Sequence, residues 1–141
     1  ATPNAFWEFD HWSALHHNAS PNSKERNVRF ELFHSDTIVA HFTEQPFTVF
    51  VPNSFSPNQD GINDVFLVEG NAIDPDQFHL QIMNRWGQVV FESRDPKAAW
   101  TGNYQGGDYY VSDQVYSYVL SAKSVFEISP REYTGSIWVI R

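Results

Sequence analysis

Four oxygen-bearing side chains crowd one short stretch of the chain. Asn58, Asp60, Asn63 and Asp64 surround Gly61. Hard oxygen ligands at alternating positions, with a glycine for the sharp turn, are what a calcium loop uses. The same residues are also ordinary turn formers, because Asx side chains bond the backbone two residues on. No glutamate closes the stretch as a bidentate ligand would. A calcium site at Asn58, Asp60, Asn63 and Asp64 and a self-bonded turn are thus both open readings. His11, His16, His17, His34 and His41 fall in the first third of the chain, but their spacings match no zinc motif. They read as strand-face or exposed imidazoles. The absence of cysteine removes disulfides, thiolate zinc sites and cysteine nucleophiles. Gly-x-Ser-x-Gly, His-Glu-x-x-His and phosphate-loop patterns are all missing, so no enzyme chemistry is expected.

The second chemical resource is aromatic. Twelve Phe, six Tyr and five Trp make 16% of the 141 residues. Trp86, Trp100, Tyr104, Tyr109 and Tyr110 sit in or beside turn-rich segments. Rings so placed suit a protein interface or a glycan platform, or they plug the ends of a sandwich. Trp86, Trp100, Tyr109, Tyr110, Trp138 and Arg141 are therefore the candidate partner-binding residues. The net charge of −8 argues against nucleic acid or an anionic membrane surface. No apolar run approaches the length of a membrane span. The chain opens at Ala1 without a leader pattern and reads as a piece of something longer.

The elements that must position these groups are strands. Period 2 dominates and helical period is nearly absent. Strands are expected at 28–33, 38–42, 47–51, 78–83, 88–92, 115–123 and 134–140. The Arg85-Trp86-Gly87 turn should join two of them as a hairpin. In the last strand Ser136, Trp138 and Ile140 share one face, and Ile137 and Val139 the other. A strand apolar on both faces is usually covered on both. Short strands separated by Asn, Pro, Gly and Asp clusters predict an all-β, Ig-like antiparallel β-sandwich. The seam falls near Val51-Pro52, since residues 51–141 hold all seven Gly and 1–50 all but one His. The expected division is a β-rich upstream segment, 1–50, and a second module, 51–141.

The second module resembles a known family. Residues 51–66, V-P-N-S-F-S-P-N-Q-D-G-I-N-D-V-F, are similar to the opening of the gliding-motility-associated C-terminal domain, or type B sorting domain of type IX secretion. The motif positions are Pro52, Asn53, Asn58, Asp60, Gly61, Asn63 and Asp64. The block Asn84-Arg85-Trp86-Gly87 resembles the family's N-R-W-G. Residues 100–106, 115–119 and 135–141 match its later blocks in order. Gln59 stands where the family has Gly, and Thr101 where it has Asp. The resemblance implies a non-catalytic C-terminal sorting signal and anchor of a large surface protein of Bacteroidota, such as a gliding adhesin. It further implies handling by the type IX secretion translocon, attachment to the outer membrane at the cell surface, and docking to a PorP/SprF-family outer-membrane barrel. An end at Arg141 fits such a C-terminus. Residues 1–50 resemble the tail of an Ig-like or PKD-like repeat, through Trp7-Glu8-Phe9-Asp10. A glycan-binding sandwich is the alternative reading of the loop aromatics. Asp36-Thr37-Ile38 fits a short O-glycosylation pattern of such cargo.

Overall fold

The structure, a computed structural model, describes residues 5–20, 22–108 and 110–141. The chain divides into two compact units, Ala1–Pro46 and Phe47–Arg141.

The first unit is built on one antiparallel pair, β1 (Trp7–Ala14) and β2 (Ile38–Glu44). The register runs from Trp7↔Glu44 to Ala14↔Ile38 and is interrupted between Phe9 and His11. That bulge resets the alternation, so Phe9 and Trp12 both join an aromatic cluster with Phe42 and Phe30. The strand expected at 28–33 does not form. Arg29 makes a single bridge to Ser20, while Leu32 and Phe33 are exposed. Alternating apolar residues make a strand only where an adjacent edge and a core receive them, and here Leu32 and Phe33 meet neither.

The second unit contains β3 (Thr48–Phe50), β4 (Ser54–Phe55), β5 (Glu69–Asn71), a 3₁₀ turn (Pro75–Gln77), β6 (His79–Met83), β7 (Val89–Ser93), β8 (Val115–Ala122) and β9 (Arg131–Val139). β3 pairs with β5, and the larger sheet has the order β4-β9-β8-β6-β7. All pairings are antiparallel except β4 with β9, which is parallel. The segment 47–51 thus belongs to this unit: β3 pairs with β5, and Val49 and Val51 pack on its core. Pro52, which has no N–H to donate, separates β3 from β4 in the other sheet.

The core is an aromatic and aliphatic layer of Phe55, Phe66, Phe78, Leu80, Ile82, Trp100, Tyr116, Leu120, Ile137 and Val139. Trp100 is its hub, with Phe55, Phe66, Phe91 and Tyr116 ring centroids 5.2–6.5 Å away. Its indole N–H donates to the Asn103 carbonyl at 2.7 Å, so the one polar atom of the ring is satisfied. Tyr116, buried near the start of β8, donates its hydroxyl to the Ser112 carbonyl at 2.8 Å. That bond, four residues back, is the tyrosine corner of immunoglobulin-like sandwiches. The architecture is an all-β, Ig-like sandwich.

Candidate docking end of the sandwich

β4 and β9 hold the start of the 53–66 segment in place. The Asn53 carbonyl accepts from Trp138 N–H at 2.8 Å, and the Phe55 carbonyl from Ile140 N–H at 3.2 Å. Beyond them the loop folds on itself. Both oxygens of Asp64 accept amides at 2.6 Å, Oδ1 from Gln59 and Oδ2 from Gly61. Asn58 Oδ1 accepts from Asp60 N–H, Asp60 Oδ1 from Ile62 N–H, and Asp60 Oδ2 from Asn58 Nδ2. Asn63 supplies its carbonyl to Ser56 N–H at 2.7 Å and takes a φ of +53°. The side-chain oxygens of Asn58, Asp60 and Asp64 are therefore directed at the positive ends of the loop's own N–H groups. A calcium shell needs those oxygens turned to a common point instead. The geometry is that of the self-bonded turn, with Gly61 at φ +87°.

The loop walls a groove of about 370 Å³, lined by Pro57, Gln59, Gly61, Asp64, Val65, Thr101 and Tyr110. Gly102, at φ +79°, fits close under it: a Cβ there would lie 3.0 Å from Pro57 Cγ. Arg141 stands beside Tyr110, one of the lining residues. Its guanidinium donates to Asp113 Oδ1 at 2.5 Å, its backbone N–H to Asp113 Oδ2 at 3.2 Å, and its Cζ stands 5.8 Å from the Tyr110 ring. Asp113 is the partner that sequence reasoning missed, because nothing local in the sequence links it to a residue 28 positions away.

The β6–β7 hairpin lies at the same end of the sheet. Met83 pairs with Ser117, and Val115 with Trp138, so the turn after Met83 and the end of β9 face the same way. Asn84 organises that turn. Its Oδ1 accepts from Trp86 N–H and Gln88 N–H, both at 3.0 Å, and its Nδ2 donates to Gln88 Oε1. Gly87 sits at φ +78°, a region closed to most side chains. Trp86 is left 74% exposed, with Arg85 Cζ stacked 4.7 Å from its ring. A cation over the ring of an exposed Trp keeps a large apolar surface ordered in water.

The candidate residues therefore separate. Tyr110, Trp138 and Arg141 gather around β4, β9 and the motif loop, and Trp86 stands on the neighbouring hairpin. Trp138 and Ile140 are both more than half exposed, while Ile137 and Val139 between them are buried. The two faces of the last strand divide as expected, but only one is covered. Trp100 is a correction: its ring has no exposed surface, so it supports the site from the core and offers nothing to a partner. Tyr109 lies outside the described residues.

The histidines do not converge on a cation. His11 and His41 stack with centroids 4.3 Å apart, His41 Nε2 bonds Ser13 Oγ, and His17 bonds Asp36. Among the described residues no group of three or more His, Cys, Asp or Glu is placed to hold a metal ion. No helix among them is long and apolar enough to cross a membrane.

Residues 49–139 match the model of the CHU_C type IX secretion signal domain. No curated protein matches the chain, and no solved structure does. The matched span begins at β3, runs through the motif loop, the hairpin and the Trp100 hub, and ends with β9. A signal of this class is a sorting element rather than a catalyst, and it implies export by type IX secretion across the outer membrane, to the cell surface or beyond. With well over half its length inside that match, this chain belongs to the CHU_C type IX secretion signal domain family.

Proposed function

We propose that the chain is the C-terminal sorting and anchoring region of a large surface protein, such as a gliding adhesin, attached to the outer membrane through a PorP/SprF-family barrel. The observation that carries the anchoring role is the concentration of exposed apolar surface at one end of the sandwich. Trp86, Tyr110, Trp138 and Ile140 are exposed there, together with Ile62 and Val65 of the motif loop. A soluble monomer gains nothing from such a cluster, whereas aromatic and Arg anchors in a small patch are what a protein interface uses. The motif loop, held by its own hydrogen bonds, presents a preformed groove beside these residues, so little ordering cost accompanies binding.

The test is a reporter fused ahead of the full chain in a host with type IX secretion. The fusion reaches the cell surface and remains there only when the barrel is present. Retention inside the cell sinks the sorting role. Release into the medium with the barrel present sinks the anchoring role alone. The exposure of the Trp86 ring also favours a second reading, a glycan-binding sandwich. Binding of the purified chain to a glycan array, abolished by Trp86→Ala, would support it, and a blank array would remove it.

A further inference from the structure

The two edges of the five-stranded sheet are finished differently. At the β7 edge, Gln105 N–H donates to the Val90 carbonyl at 2.7 Å and Gln105 Nε2 to the Val89 carbonyl at 3.2 Å. A neighbouring loop therefore caps that edge. The opposite edge carries only the two-residue β4, which pairs at Trp138 and Val139. Behind it Pro52 lacks an N–H, and Thr48–Phe50 pair with β5 in the other sheet. Among the described residues, β9 runs back to Arg131 with β8 on one side only.

The direction of the open groups follows from the ladder. Val139 N–H points to β8, donating to Gln114, while Trp138 N–H points away, donating to Asn53. Backbone groups alternate sides along a strand. The N–H and C=O of Ser136, Thr134 and Glu132 therefore point away from β8, like those of Trp138. All three residues are exposed. No hydrogen bond to their backbone groups occurs outside the strand ladder among the described residues. Charge guards only the far end, at Arg131 and Glu132.

We propose that the Glu132–Ser136 edge of β9 is where an extended strand of the outer-membrane partner adds to the sheet. This rests on the anchoring role argued above and specifies its contact. Alternating donors and acceptors along a strand edge are matched by another strand's backbone and by little else. Trp138 and Ile140, exposed farther along the same strand, extend the contact with apolar surface. A second copy of this chain is the poorer occupant, because each copy carries a net charge of −8. A partner strand bearing Lys or Arg opposite Glu132 complements that charge.

Proline at 134 tests the register. It removes an N–H that bonds to nothing among the described residues and fills the edge with a ring, a placement that sheet edges tolerate. The full chain carrying Thr134→Pro should melt as wild type does, yet lose at least about tenfold in affinity for the detergent-solubilised PorP/SprF-family barrel. Ser136→Pro, by the same geometry, carries the test if Thr134→Pro does not fold. Amide exchange on the wild-type chain needs no variant. Glu132, Thr134 and Ser136 should exchange fast alone and slow with the barrel bound, while Tyr133 and Gly135, which face β8, stay slow throughout. Equal affinity of a folded proline variant overturns the inference and leaves anchoring intact. Slow exchange of the three amides in the free chain also overturns it, whether from an internal partner or from self-association seen by sedimentation. A wild-type chain that the barrel does not capture overturns anchoring and this contact together.

Discussion

The two units are held together by different means. In Phe47–Arg141 a continuous layer of buried apolar side chains surrounds Trp100. In Ala1–Pro46 no described residue is fully buried, and Leu15, Leu32 and Phe33 are largely exposed. Beside its β1–β2 pair and half-buried aromatic cluster, the first unit relies on one carboxylate. Asp36 accepts from the N–H of Leu15 at 3.1 Å, of His16 at 3.0 Å and of Thr37 at 2.8 Å, and from His17 Nδ1 at 2.6 Å. Phe33 N–H donates to His17 Nε2 at 3.1 Å, which fixes the Nδ1–H tautomer facing Asp36. The Asp36 side chain has no exposed surface and that of His17 only 5%. A segment of this size cannot bury enough apolar area for a core, so an ionised hub gathers the loop ends that a core would otherwise hold.

Truncating each unit's central tryptophan breaks this contrast if it is wrong. Trp100→Ala removes the ring that four others pack on and should cost about 3–5 kcal/mol, most of the stability of a domain this small. Trp12→Ala, in a half-buried cluster, should cost only about 1–2 kcal/mol. Denaturant unfolding of the two variants measures both, and equal losses would erase the distinction. Gly70→Ala comes next. A Cβ at Gly70 would lie 2.2 Å from the Thr48 carbonyl oxygen, a backbone atom fixed by the β3–β5 pair. The pair must open, at about 1–3 kcal/mol. Gly135→Ala meets the Tyr118 ring at 2.8 Å instead. That side chain can swing aside, so the loss is smaller.

The same contrast decides what the sequence revealed. β6, β7, β8 and β9 were legible because each lays alternate residues on a core, as Leu80 and Ile82 or Ile137 and Val139 do. The hairpin at Gly87 and the self-bonding of the motif loop follow from local turn chemistry. β5 was not legible, since Glu69-Gly70-Asn71 carries no apolar alternation and pairs through its backbone. β4, two residues long, has no period to detect. In the first unit β1 was missed because the bulge after Phe9 breaks its alternation, and 28–33 was misread because alternation there meets no core. Of the candidate site, Trp86, Tyr110, Trp138 and Arg141 were nameable from residue type, but the burial of Trp100 was not. A tryptophan beside a turn looks the same in sequence whether it plugs the sandwich or leaves it.

Acid should separate the units further. The hydrogen bond from His17, with those from three backbone amides, holds the Asp36 carboxyl well below its ordinary value of 3.8, against the opposing effect of desolvation. A lowered folded-state pKa means that the unfolded chain binds the proton first. The stabilisation is therefore fully present above pH 3.8 and is lost progressively as the pH falls below it towards the folded-state value. Amide exchange at Leu15, His16 and Thr37, whose N–H groups Asp36 accepts, should rise over that interval, before exchange in β8 and β9. Asp36→Asn should raise the same three rates at neutral pH and remove the pH dependence. Simultaneous loss in both units would show that the hub is not the separate support of the first.

The smallest expected effect is a gain, and it sits in the motif loop. Gln59 occupies the left-handed region at φ +66°, where the family pattern has Gly. A Cβ in that region costs about 1–2 kcal/mol for most residues. Asn63, at φ +53°, tolerates it better, because a short Asx side chain bonds locally. Gln59→Gly relieves the strain and keeps the backbone N–H that donates to Asp64. Greater freedom of Gly in the unfolded chain offsets about 0.4–1 kcal/mol of this. The net expectation is a rise of between zero and about 1.6 kcal/mol in the stability of the second unit, with Asn63→Gly close to neutral. Melting with calcium and then with chelator sharpens the result. Since Asp64 and Asp60 already serve the loop's own amides, the curves of wild type and Gln59→Gly should each be unmoved by the ion. A calcium-dependent rise in melting temperature would mean that the loop opens to bind the ion.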